Sequence, residues 1–373
     1  MWIELDARAP GHNLAELRRG AGAGVLLCAV VKANAYGHGL AEIARLVPSA
    51  DWLGVNSLEE GLALRALGER RPLIALGHVP VGRLRDAVEA DLGLTVFNRE
   101  TIEALARLEG LPRPARLHVK VETGTGRQGV LAADLEGFVR LLRATPNAVL
   151  EGLSTHFANI EDTTDHAYAE AQLARFAQAL ATVERLGGRP PVVHTACTAA
   201  AILFPKTHFT MLRTGIGLYG LWPSRETRIS ARERGGAVPD LRPVLSWKTR
   251  LVQVKELPEA SFVGYGCSYR TTRRTRVGVL PVGYSDGYDR AFGNRAHVLV
   301  RGRRAPVIGR ICMNLCMADV TDVPEARLDD EVVLLGTDGD EGISAETLAE
   351  WAGTISYEVV SRISPLLPRI VRG

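Results

Sequence analysis

Over the first two-thirds of the chain, short apolar runs alternate with longer stretches in which apolar residues recur every three or four positions. The runs "GVLLCAVVKA", "WLGV", "PLIALG", "GLTVF", "ARLHVKVET", "VLEGLSTHF", "PVVHTA" and "FTMLRTGIGLYG" read as strands. Between them "AEIARLV", "LEEGLALRALG", "VGRLRDAVEA", "RETIEALARLEG", "DLEGFVRLLRA" and "YAEAQLARFAQALATVERLGG" carry the helical repeat. Several of these open after Asn, Ser or Asp, and several close at Gly. Short apolar strands alternating with helices imply a parallel sheet joined by βαβ crossovers. About eight such strands is the number that closes a (β/α)8 TIM-type barrel. An open doubly wound sheet is the alternative with the same pattern.

The pattern changes at "GLYGLWPSRETRISARERGGAVPDLRP", which is polar, contains Gly and Pro, and reads as a linker or excursion. Beyond it, "VLSWKTRLVQVKEL", "TRVGVLPVGY", "AHVLVRGRRAPVIGR" and "DEVVLLG" are β-branched and alternating, with one helical segment at "SAETLAEWAG". The expected class is therefore α/β: a barrel over 1–225, followed by a mostly β C-terminal domain over 240–373. The opening "WIELD" has strand character and can pair with the β-rich part.

The 373 residues are 46% hydrophobic and 23% charged, as in an ordinary globular protein with a sizeable core. A net charge of +3 argues for neither nucleic acid nor a membrane surface as partner. The basic clusters "YRTTRRTR" and "RGRRAP" read as a solvated loop and turn. Cys28, Cys197, Cys267, Cys312 and Cys316 are scattered and odd in number, so neither a disulfide framework nor a zinc site is implied, and reduced thiols in a cytoplasmic protein are the expectation. "MWIELDARAP" is no signal peptide, and no apolar stretch is long enough to span a bilayer.

A barrel places its chemistry at the C-terminal ends of its strands. Lys32 ends the first predicted strand. Arg127 follows the fifth, in "VETGTGRQG"; His156 closes the sixth; Thr198 follows the seventh; Arg213, Gly215 and Ile216 lie in the eighth. Each has a bland reading alone: a snorkelling lysine, a core histidine, a surface arginine. Together they point further. A lysine in apolar surroundings loses proton affinity and becomes an amine nucleophile. Arg127 among glycines can grip a carboxylate with two parallel hydrogen bonds. "TGIG" offers backbone N–H groups to a phosphate. The combination suggests pyridoxal phosphate chemistry on an amino acid, with no metal.

"AVVKANAYGHG" resembles the cofactor-attachment motif of the alanine racemase family, and the resemblance runs from "IELDARAPGHN" to "GTISYEVVSRISPLLPR". It implies pyridoxal 5'-phosphate as cofactor, held by Lys32. It also implies two bases on opposite faces of the substrate, Lys32 and Tyr265. Tyr36, Thr198, Gly215, Ile216 and Tyr357 match phosphate-contacting positions, His156 a residue packed near the pyridine ring, and Arg213 the arginine facing the pyridine nitrogen. Arg127 and the backbone N–H of Met313 match contacts to the substrate carboxylate. Lys120 matches a lysine that is carbamylated in some members.

The family also implies a homodimer in which Tyr265 and Met313 complete the partner's site, and a role in supplying D-alanine for peptidoglycan. The chain departs from the family pattern at Glu122, Thr125, Cys197 and Asn314, where Asp, Met, Asn and Asp are usual. These departures keep a broad-specificity or serine-preferring racemase open as an alternative. A non-catalytic cofactor carrier on a similar barrel would lack the β domain and Tyr265.

Overall fold

The computed structural model describes residues 1–235 and 238–373. It divides into two compact units: Ala9–Ala33 with Ile43–Arg242, and Met1–Arg8 with Asn34–Glu42 and Pro243–Gly373. In chain order the strands are β1 (Trp2–Asp6), β2 (Leu26–Val30), β3 (Trp52–Val55), β4 (Leu73–Ala75), β5 (Leu92–Val96), β6 (Ala115–Lys120), β7 (Ala148–Ser154), β8 (Val192–His194) and β9 (Met211–Thr214). All but β1 belong to the first unit.

Strands β2 to β9 form one eight-stranded parallel sheet, in the order β8-β7-β6-β5-β4-β3-β2-β9. Its two ends are tied together: the Thr210 N–H donates to the Val193 carbonyl at 3.1 Å, and the Arg213 N–H to the Ala196 carbonyl at 3.0 Å. The sheet therefore closes into the expected barrel. Strands β3 and β5 are buried at every position, because side chains fill the inside while helices cover the outside. The helix Leu135–Arg143 shows how the cover is made. It buries Leu135, Phe138, Val139 and Leu142, spaced to form one face.

Two local departures from the sequence reading bear on function. Strand β2 stops at Val30, so Lys32 does not end a strand. It opens a single turn, Lys32–Tyr36, in which Ala33, Asn34, Ala35 and Tyr36 have φ of 54°, 52°, 53° and 52°. This is left-handed helix, which costs non-glycine residues about 1–2 kcal/mol each. Neighbouring groups hold the turn. The Glu60 carboxylate accepts the Ala33 N–H at 2.6 Å, and the Asn34 side-chain carbonyl accepts the Leu40 N–H at 2.9 Å. Gly37 follows at φ +82°, where a Cβ would sit 1.9 Å from the Val360 carbonyl oxygen.

The second departure lies in the stretch read as a linker. It carries the helix Arg225–Glu233, capped by Ser224, whose hydroxyl accepts the Thr227 N–H at 2.9 Å. Positions 236 and 237 of that stretch lie outside the described residues. The helix is so rich in Arg and Glu that its short apolar face leaves little periodic signal. The helix Ala9–Arg19 is likewise not evident from the irregular opening "DARAPGHN".

The second unit is mostly β. Its strands are β10 (Leu245–Arg250), β11 (Gln253–Leu257), β12 (Phe262–Val263), β13 (Tyr269–Arg270), β14 (Thr275–Leu280), β15 (His297–Val300), β16 (Arg303–Pro306), β17 (Cys316–Asp319), β18 (Glu331–Asp338), β19 (Glu341–Ile343) and β20 (Arg369–Arg372). The larger sheet runs β16-β15-β18-β10-β1-β20, with β19 paired to β18. The opening strand β1 thus lies between β10, antiparallel, and β20, parallel. Strands β11, β14 and β17 form a second sheet, and β12 with β13 a two-stranded ribbon. Trp247, Tyr288 and Phe292 pack in sequence in the core, the first pair edge-on and the second tilted, with ring centroids 5.8 and 4.7 Å apart.

Candidate active site

In the barrel unit a cavity of about 370 Å³ is lined by Lys32, Lys120, Arg127, His156 and Arg213, together with uncharged neighbours such as Asn56, Thr95 and Ser154. Four of these groups are cationic types, and no Asp or Glu lines the cavity. Such a site favours an anionic ligand and disfavours its own charges. Burial, then the charge of Arg127, pushes the Lys32 ammonium below its usual range, although Glu60 opposes this. Burial followed by Arg127 and Arg213 brings Lys120 down to about 8. Its amine lies 3.5 Å from Gln128 Oε1. His156 is held well below its usual value by burial and by Arg213, and is neutral.

Arg213, on β9, is 8% exposed. Its Nη1 donates to His194 Nδ1 and to the His194 carbonyl, both at 2.7 Å. Its Nη2 donates to the Thr155 carbonyl at 2.9 Å and the Thr195 carbonyl at 3.0 Å. Four of the five guanidinium N–H groups are thereby spent on the barrel, leaving Nε–H.

Arg127 sits in the loop after β6, and Glu122 shapes that loop. Its carboxylate accepts the N–H groups of Gly124, Thr125 and Arg127 at 2.5, 2.6 and 3.3 Å. Burial works to raise the Glu122 pKa, but these amides hold it below the usual range. The loop also needs Gly129 at φ +151°, where a Cβ would lie 2.4 Å from the Glu122 nitrogen. Thr125 contributes by donating its hydroxyl to the His156 carbonyl at 2.5 Å. Glu122 and Thr125 are therefore the residues that brace this loop.

Thr198, Gly215 and Ile216 meet between the helix Thr198–Leu203 and the turn after β9. The buried Thr198 hydroxyl oxygen accepts the N–H groups of Gly215 at 3.1 Å and Gly217 at 3.4 Å. Its own O–H remains to be donated to an anion. A Cβ at Gly217 would lie 2.5 Å from Thr198 Cγ2, so only glycine leaves this cradle undisturbed. Cys197, the preceding residue, is a protonated thiol, raised to about 11 mainly by burial.

The remaining expected residues belong to the second unit. Tyr36 and Tyr357 pair, with ring centroids 6.1 Å apart and planes tilted by 46°. Tyr265 occupies the tip of the β12–β13 ribbon, between Gly264 at φ +74° and Gly266 at φ +70°. Tyr265 and Met313 line a cavity of about 510 Å³ with Tyr284, Arg290 and Arg310. The Met313 carbonyl accepts the Ser285 N–H at 3.1 Å and its hydroxyl at 2.8 Å, and Asn314 Nδ2 donates to the Ser285 oxygen at 2.8 Å. An aspartate at 314 could only accept there, and would compete with Met313 for the hydroxyl proton.

His118, His194 and Glu151 stand out in the structure but not in the sequence reading. Their only sequence signal is polarity inside strands: "RLHVK", "VVH" and "VLEGL". Among the described residues, no group of three or more His, Cys, Asp or Glu is placed to hold a metal ion, and no helix is long and apolar enough to cross a membrane.

The chain matches two family models: "Alanine racemase, N-terminal domain" over residues 5–223 and "Alanine racemase, C-terminal domain" over 244–371. It is 40% identical over 374 residues to an alanine racemase of Leptospira interrogans, covering 99% of this chain and 95% of the relative. To that of Symbiobacterium thermophilum it is 42% identical over 377 residues, covering 100% and 97%. The structure of a Bacillus anthracis alanine racemase with bound L-Ala-P superposes with a TM-score of 0.93 at 34% identity, covering 100% of this chain and 95% of that one. That of a Streptomyces lavendulae alanine racemase superposes with a TM-score of 0.89 at 34% identity, covering 100% and 97%.

Proposed function

The chain belongs to the alanine racemase family, and from that premise we propose that it interconverts L- and D-alanine with pyridoxal 5'-phosphate, using Lys32 and Tyr265 as the two bases. The observation that carries this reading is the barrel cavity, in which several cationic groups meet no carboxylate and one of them is a lysine with weakened proton affinity.

The residues present fit the cofactor. The Thr198 O–H, with the Ile216 N–H in the turn that Thr198 braces, makes a neutral cradle for a phosphate, and Tyr36 and Tyr357, which pair in the second unit, match phosphate-contacting positions of the family. Arg213 offers Nε–H to a ring nitrogen, and its guanidinium, having no acceptor, would leave that nitrogen unprotonated. His156, being neutral, can pack beside the ring without adding charge. When bound, pyridoxal phosphate supplies an electron sink for the substrate α-carbon.

Lys32 then holds the cofactor and takes or returns the α-proton on one face. Its lowered proton affinity leaves more of the amine neutral near pH 7 than a solvated lysine would have. Tyr265 serves the opposite face. Arg127 and the Met313 N–H orient the substrate carboxylate. Lys120, with a pKa brought down to about 8, has an amine that in its neutral form can add dissolved CO2 and release one proton to solvent, giving a carbamate whose negative charge would restrain Arg127.

Tyr265 is 73% exposed and Met313 57% exposed. Large side chains so exposed support a homodimer in which the partner subunit's Tyr265 and Met313 complete each barrel site. In this reading the protein works in the cytoplasm and supplies D-alanine for peptidoglycan. Dilution tests the shared site: activity per chain should fall as dimers dissociate, and constant activity among monomers would exclude it.

The reaction itself is tested by proton NMR of L-alanine in D2O with the purified protein and pyridoxal phosphate. Loss of the α-proton signal with appearance of D-alanine is the expected result. An unchanged spectrum for alanine and for serine would sink the racemase reading.

A further inference from the structure

The barrel core contains a row of hydrogen bonds that the reaction outlined above does not use. It starts at Arg213 Nη1, 2.7 Å from His194 Nδ1. His194 Nε2 lies 3.0 Å from His118 Nδ1, and His118 Nε2 lies 2.9 Å from Glu151 Oε2. Arg116 Nη1 closes the far end, 3.0 Å from Glu151 Oε1. His118 and His194 are 0% and 1% exposed.

The two ends dictate where every proton lies. A carboxylate has no hydrogen to give, so His118 carries its proton on Nε2 and donates it to Glu151. The neutral imidazole then has a lone pair on Nδ1, and His194 must donate to it from Nε2. That leaves a lone pair on His194 Nδ1, which accepts from Arg213, a group with donors only. All the bonds therefore point one way, from Arg213 to Glu151. A proton added to either ring, or a switch of tautomer, sets two donors against each other at 2.7 or 3.0 Å.

The surroundings agree with this order. Burial is the main influence holding both histidines below their usual pKa, and it outweighs the bond and charge of Glu151, which act to raise His118; the charge of Arg213 adds to burial at both rings. Burial acts to raise the Glu151 pKa, but the bond to His118 and the charge of Arg116 keep it below the usual range. Space is reserved as well: a Cβ at Gly152 would lie 2.0 Å from His118 Nδ1.

We propose that Glu151, acting through His118 and His194, is a positioning residue for Arg213: it fixes both imidazoles as Nε2–H tautomers, so that the guanidinium is held with Nε–H available to the cofactor's ring nitrogen. The role of Arg213 rests on the functional reading above; the polarity of the row does not.

The test uses the holoenzyme with 15N-labelled histidine and 15N-labelled pyridoxal phosphate. In the wild type, imidazole 15N spectra at pH 7 should show His118 and His194 neutral and protonated on Nε2. Either ring protonated on Nδ1 overturns the row. In Glu151→Leu the acceptor is gone, so an Nδ1–H population of His118 should appear and the pyridine 15N resonance should shift. In the same variant kcat should fall about 10- to 100-fold, as for a misplaced active-site group, with KM for alanine little changed. Arg116→Gln keeps the acceptor and should retain both wild-type signatures. A folded Glu151→Leu protein with wild-type pyridine shift and kcat overturns the positioning role. Wild-type protein that takes up no pyridoxal phosphate overturns the functional reading instead, while its imidazole spectra still decide the row.

Discussion

In the barrel cavity Arg213 is 8% exposed and spends four N–H groups on fixed acceptors, while at the tip of the β12–β13 ribbon Tyr265 is 73% exposed. The barrel groups are set by strands and by each other, so their charges are in place before a ligand arrives. The ribbon groups are set by glycine turns that project a side chain outward. The contrast teaches a division of labour. Binding of an anionic cofactor needs buried, preorganised donors, whereas a base of the kind proposed for Tyr265, supplied to another chain's site, must protrude from its own.

The largest effects should come from removing either of the two proposed bases, one on each side of this comparison. Lys32→Ala should abolish retention of the cofactor after dialysis, read by visible absorbance, and lower racemisation by ~10³-fold or more. Tyr265→Phe should lower racemisation by ~10²–10⁴-fold yet leave cofactor retention as in the wild type. Loss of cofactor from the tyrosine variant would break the division between the two regions.

Arg213→Glu should next alter the outcome of the reaction. A carboxyl group can hold a proton on the ring nitrogen, which a guanidinium cannot do. The variant should form more pyruvate per racemisation event than the wild type, measured with lactate dehydrogenase; an equal yield would contradict the assigned role of Arg213. Gly217→Ala sharpens the account of the cradle. Its Cβ falls 2.5 Å from Thr198 Cγ2, and displacement of that hydroxyl should weaken pyridoxal phosphate binding about tenfold, about 1.4 kcal/mol.

The last effect concerns pH and stability rather than the reaction. The Lys120 pKa is lowered from 10.5 to about 8, so between these values the unfolded chain binds more protons than the folded one. Its burial penalty is present in full below pH 8 and is relieved as pH rises towards 10.5. Urea unfolding in CO2-free buffer should thus show wild-type stability improving relative to Lys120→Met from pH 8 to 10. A constant difference would mean that Lys120 titrates normally.

Much of the scaffold was readable from residue patterns. Continuous apolar runs such as "WLGV" and "GLTVF" announced strands buried on both faces, and the Leu135–Arg143 periodicity announced a covering helix. The resemblance around Lys32 to a cofactor-attachment motif was legible because its residue types are distinctive. The left-handed turn was not: nothing in "KANAY" except one Asn favours positive φ, and the turn depends on Glu60 from a later helix. The helix Arg225–Glu233 was hidden by its charge.

By itself the sequence determined the periods of hydrophobicity, the barrel-then-β order and the types of chemical group available, because these follow from local spacing and composition. The tertiary structure decided which groups share a cavity, how far burial and neighbouring charge shift each one, and which way the protons run from Arg213 to Glu151. Those properties depend on distances between residues far apart in the chain, and an acceptor such as Glu151 orders the protons on His118 and His194 only once folding has placed all of them in one row.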